Sequence, residues 1–137
     1  MFKKIMVPVD LAHVDQIEKA LNAAADLAKH YEAKVDYVGV TTSAPTSVAH
    51  TPAEFKKKLE AFCTDQARKH GISAAAKPVV CNDPAVELDQ SLSDAGDELG
   101  TDLVVMGSHH PGVMEHLISS NAGYLASHSD VSVFVVR

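Results

Sequence analysis

The sequence predicts an α/β fold: a five-stranded doubly wound parallel sheet, strand order 3-2-1-4-5, Rossmann-like, with helices on both faces. Two features carry this expectation. Apolar runs such as Leu103-Val-Val-Met106 lack the polar alternation of a half-exposed strand and so read as strands covered on both faces. These runs alternate with segments of helical period, and strand-helix alternation implies right-handed parallel crossovers. With 137 residues, 46% of them hydrophobic, the chain suits one core and a single domain over 1–137.

Ile5 to Val9 is a short apolar run ended by Asp10, the pattern of a buried strand. Ile17, Ala20, Leu21, Ala24, Leu27, Ala28 and Tyr31 then follow i, i+3, i+4, i+7 spacing, which predicts an amphipathic helix from about 13 to 31. Val35 to Val40 is the second strand, and Thr41 to Thr51, with Pro45 and several hydroxyl residues, the longest loop before the second helix. Pro52 suits a first helical turn, Phe55, Leu59 and Phe62 carry that helix to about His70, and Gly71 stops it. Ala74 to Val80 is the third strand. Asn82-Asp83-Pro84 has the chemistry of a helix start, with Leu88, Leu92, Ala95 and Leu99 as the buried face and Gly100 as the stop. Leu103 to Met106 and Val131 to Val136 complete the sheet.

Composition excludes several classes of function. Twelve basic against 18 acidic residues give a formal charge of −6, which repels a nucleic-acid backbone, and the one basic cluster, Lys56-Lys57-Lys58, reads as the solvated face of a helix. No run approaches the roughly 20 apolar residues of a membrane span. Met1 to Asp10 lacks the pattern of a signal peptide, so a cytoplasmic location is expected. Cys63 and Cys81 have neither zinc-finger nor CxxC spacing, and His109, His110 and His116 lack the i, i+4 geometry of a helical metal pair.

In such a sheet a ligand sits at the carboxyl ends of the strands, where the chain switches direction. For this strand order the switch lies between the first and fourth strands, at Pro8-Val9-Asp10 and Met106-Gly107-Ser108. Asp10 could accept hydrogen bonds from a ribose hydroxyl or a base amine, or else cap a turn. Gly107 lets the backbone leave the strand sharply and pass close to a ligand. Ser119-Ser120-Asn121 would open the last helix, where free N–H groups and the dipole favour phosphate, although the same residues cap helices without a ligand. His109 reads as a phosphate-side donor or an exposed loop residue.

The opening KKIMVPVD, the strand VDYVGV, the segment DLVVMGSHH, the SNA turn and the final VSVFVVR, in this order, resemble the universal stress protein (UspA) family. The GSHxP stretch is closest to its UspF-like ATP-binding subgroup. The family signature is GxxG, about nine residues, then Gly before Ser or Thr. Gly107 and Ser120 match it, while His110 and Ser119 stand where glycines are usual. The resemblance implies ATP or a related adenine nucleotide, with or without Mg, as a regulatory ligand. It also implies that Val40 meets adenine through its backbone, and a homodimer through the C-terminal strand. The alternative is a nucleotide-free dimeric interaction module. No nucleophile elbow, Walker loop or supporting lysine accompanies the loop, so at most slow ATP hydrolysis is expected.

Overall fold

Strands β1 (Lys4–Pro8), β2 (Lys34–Thr41), β3 (Ala74–Val80), β4 (Leu103–Gly107) and β5 (Ser132–Val136) form one parallel sheet in the order β3-β2-β1-β4-β5. The computed structural model describes residues 1–107, 122–127 and 130–137. Helices α1 (Glu18–Tyr31), α2 (Pro52–His70) and α3 (Pro84–Leu99) connect the strands, and residues 122–127 are helical.

The period-2 alternation of each strand sorts the core into two layers. Ile5, Val7, Val35, Tyr37, Leu103 and Val105 face α1 and α2, where Leu21, Ala24, Phe55 and Leu59 cover them. Met6, Val38, Val104 and Met106 face the other way, under Leu92 and Ala95 of α3 and under Ala122 and Leu125. Helices therefore cover both faces, as the apolar strands predict.

Helix ends follow local chemistry. Thr51 Oγ1 accepts from Glu54 N–H at 3.1 Å to start α2, and Asp83 Oδ1 accepts from Ala85 N–H at 3.1 Å to start α3, each with a proline in the first turn. Gly71 and Gly100 end these helices in the left-handed region, with φ of 64° and 67°. One boundary differs from the helix predicted over 13–31: Val14–Ile17 is a 3-10 turn, and α1 proper begins at Glu18. The tight turn that precedes it accounts for the difference, since the His13 N–H donates to the Asp10 carbonyl at 3.0 Å and the Gln16 N–H to the His13 carbonyl at 3.1 Å.

Candidate functional site

A proline opens the sheet. The Val9 N–H donates to the Val38 carbonyl at 2.9 Å, so odd residues of β1 turn toward β2 and even residues toward β4. Pairing of β1 with β4 reaches Met6↔Val104, and the next donor toward β4 would come from residue 8. Residue 8 is proline, which has no N–H, so the ladder stops while β4 continues beside β5 to Gly107↔Val136. The gap between β1 and β4 is the switch point at which the strand order reverses.

The same bookkeeping of directions shows what the flanking strands present to the gap. Val38 turns toward β1, and the Thr41 carbonyl, which accepts from the Cys81 N–H at 2.9 Å, turns toward β3. Val40 therefore aims its N–H and C=O to the β1 side, beyond the last β1–β2 pair, Pro8↔Val38. Just before β4, the Asp102 carbonyl accepts from the Ser132 N–H of the β5 side, so even residues of this segment turn toward β5 and Gly107, an odd residue, turns its backbone groups toward the gap. One donor and one acceptor thus face the opening from each side.

A cavity of about 260 Å³ occupies this place. Among the described residues the sheet supplies Pro8, Val9, Val38, Val40, Met106 and Gly107. Ile17 and Phe55 close it from one helical layer, and Pro84, Leu88 and Leu92 from the other, with Asp10 and Leu11 after the end of β1. The walls are mostly apolar. Phe55, 4% exposed, can sit there because residue 39 is glycine: a Cβ at Gly39 would lie 2.8 Å from the Phe55 Cζ. Gly107 has a similar reason to be small. A Cβ there would meet the Ile17 Cγ2 at 3.2 Å and the Ala20 Cβ at 3.5 Å.

Asp10 performs the capping role that the sequence left as an alternative. Its Oδ1 accepts from the Ala12 N–H at 3.0 Å, and its Oδ2 lies 2.9 Å from the His13 Nδ1. The carboxylate also borders the cavity, and two oxygens with about four acceptor sites leave room for a further donor. Of the residues singled out by sequence, Pro8, Val9, Asp10, Val40, Met106 and Gly107 come together here. Ser108, His109, Ser119, Ser120 and Asn121 lie outside the described residues, as do His110 and His116.

Sequence reasoning missed Phe55, Leu88 and Leu92 as walls, because helical spacing marks them only as a buried face. A usable signal was their position in the first three turns of helices that follow strands, which places them over the strands' carboxyl ends. Cys63 and Cys81 are free thiols, and burial pushes both up from their usual pKa, so neither is an activated nucleophile. Among the described residues no group of three metal-ligating side chains occurs, and no helix is long and apolar enough to cross a membrane.

Comparison with known proteins gives one consistent answer. The model of the universal stress protein family matches residues 1–137. Universal stress protein YxiE of Bacillus subtilis is 31% identical over 156 residues, and universal stress protein G of Shigella flexneri is 26% identical over 145, each match covering 100% of both chains. The universal stress protein of Archaeoglobus fulgidus, solved in complex with dAMP, superimposes with a TM-score of 0.70 at 20% identity, covering 99% of this chain and 98% of that one. The match is to the family as a whole and does not single out the UspF-like subgroup.

Proposed function

The chain belongs to the universal stress protein family, and from this premise we propose that it binds an adenine nucleotide, ATP or a close relative, as a regulatory ligand in the crevice between β1 and β4. The observation that carries the reading is the direction of the Val40 backbone. An adenine edge offers an exocyclic amine that donates beside a ring nitrogen that accepts, whereas the matching edge of guanine offers two acceptors. The Val40 C=O and N–H form the complement of the adenine pattern. The apolar walls from Val38, Phe55 and Leu92 suit the faces of a base, and Asp10 stands where a ribose hydroxyl would donate. A solved relative in complex with dAMP supports the same ligand class.

Gly107 and the hydroxyl-rich Ser119-Ser120-Asn121 are the residues proposed for the phosphate end, together with Ser108 and His109. The role is binding rather than turnover. Asp10, the one ionisable side chain among the described lining residues, is already bonded within its own turn, and no activated nucleophile accompanies it among those residues. Mass spectrometry of the small molecules released when freshly purified protein is denatured tests the proposal. An adenine nucleotide in near-stoichiometric amount is expected. A protein that carries none, and that binds none in equilibrium dialysis, would instead be a nucleotide-free interaction module.

A further inference from the structure

Away from the crevice, the underside of α2 carries a row of polar atoms that no bond satisfies. Six side-chain polar atoms among the described residues are buried without a hydrogen-bond partner, and three of them belong to this row: Tyr37 Oη, Gln66 Oε1 and His70 Nε2. Phe62, Gln66 and His70 follow one another at i, i+4 along one face of α2, and the Tyr37 ring of the strand beneath meets Phe62 edge-on at 5.4 Å. Tyr37 is 0% and Gln66 9% exposed, so neither reaches solvent to make up the missing bond. Because His70 Nε2 and Gln66 Oε1 both lack a partner, they are not bonded to each other although they stand one helical turn apart.

A proton added to His70 makes this arrangement worse. Both ring nitrogens of an imidazolium carry a hydrogen, so the charged ring would hold a buried N–H with no acceptor in contact. The surrounding charges decide the direction. Lys69 on the same helix and Lys29 on α1 repel the cation, while Asp26 on α1 and the carbonyl end of α2 attract it. Burial outweighs these and, with the two lysines, holds the imidazole below its ordinary 6.5. From the sheet side the row meets Tyr37, which burial pushes up to about 12 and so keeps neutral. The Lys34–Asp36 ion pair, 3.2 Å apart, acts on Cys63, one turn before Gln66. Relief for the charged ring requires the last turn of α2 to move, toward either the Gln66 oxygen or solvent.

We propose that His70 is an acid-sensitive latch between α2 and α1: the seam is closed while the ring is neutral and loosens, from the last turn of α2, when the ring takes up a proton. The sign follows from linkage. A histidine that the fold keeps neutral costs no stability well above its unfolded pKa, and stability is lost as pH falls through that value. Urea unfolding of the full chain and of His70→Gln, at about pH 7.5 and 5.5, tests the latch. The unfolding constant should rise at least about threefold more in the unmodified chain than in His70→Gln, with about tenfold the ceiling for one histidine of ordinary pKa 6.5. Hydrogen exchange should show protection lost first at the amides of residues 66–70. If His70→Gln does not fold, the unmodified chain alone decides, because its His70 ring should titrate below 6.5 in NMR, together with that loss of protection. Equal pH responses in the two chains overturn the latch. A His70 ring that titrates at or above 6.5 overturns it as well, and so does protection lost evenly across the sheet.

Discussion

A Cβ added at Gly107 would stand 3.2 Å from the Ile17 Cγ2, close enough that the 3-10 turn would have to yield by a few tenths of an ångström. The backbone here is outside the left-handed region, which among the described glycines is occupied by Gly71 and Gly100. Gly107 is therefore required for close approach rather than for a special φ. Gly107→Val should destabilise the fold by about 1–3 kcal/mol through overpacking against Ile17 and Ala20, with Gly107→Ala milder, as urea unfolding would measure. Asp89 makes a separate case. Its Oδ1 is buried without a hydrogen-bond partner among the described residues, and burial raises its pKa above the usual 3.8. A raised carboxyl pKa contributes no penalty below the unfolded value, and stability is lost as pH rises through the folded value. Asp89→Asn should thus raise the melting temperature at neutral pH and lose that advantage below about pH 3.8, which thermal melts at the two pH values would reveal.

At the scale of elements, three helices end in a left-handed residue, and two of the three use glycine. Helix α1 ends instead on Glu32, at φ 55°, whose N–H donates to the Ala28 carbonyl. A non-glycine residue there costs about 1 kcal/mol, so Glu32→Gly should raise stability by roughly 0.5–1 kcal/mol in urea unfolding. Sequence makes these elements legible because their signals are local: apolar runs for strands, i, i+3, i+4 spacing for helices, and the prolines and glycines at their ends. The 3-10 turn at Val14–Ile17 is less legible, since Ile17 fits helical spacing either way and the turn depends on the Asp10 carbonyl reached by the His13 N–H. Phe55 as a cavity wall depends on a partner 16 positions earlier, Gly39, which no periodicity within α2 can indicate. Pro8, by contrast, is legible in principle, because a missing N–H at a strand end predicts a missing rung.

The two edges of the whole sheet are not alike. Odd residues of the β3 segment bond toward β2, as the Cys81 N–H does, so Pro78 turns its missing donor to the open side and blunts that edge. Among the described residues strand β5 has only β4 beside it; it contains no proline and leaves Phe134 and Val135 46% and 42% exposed. A homodimer through β5 is the expected assembly. Light scattering at micromolar concentration should give twice the chain mass, and Val135→Lys should halve it; a monomer mass for the unmodified chain would contradict this.

The crevice itself is a property of the entire topology, set by strand order, by Pro8 and by the backbone directions of Val40 and Gly107. Backbone amide signals in a nitrogen-15 NMR titration with AMP report on it most directly. Adenine bonded to Val40 should place the Val40 amide among the most shifted signals at saturation, with those of Val9 and Gly107 moving alongside. Saturating AMP that leaves the Val40 and Gly107 amides unmoved would contradict an adenine site between β1 and β4.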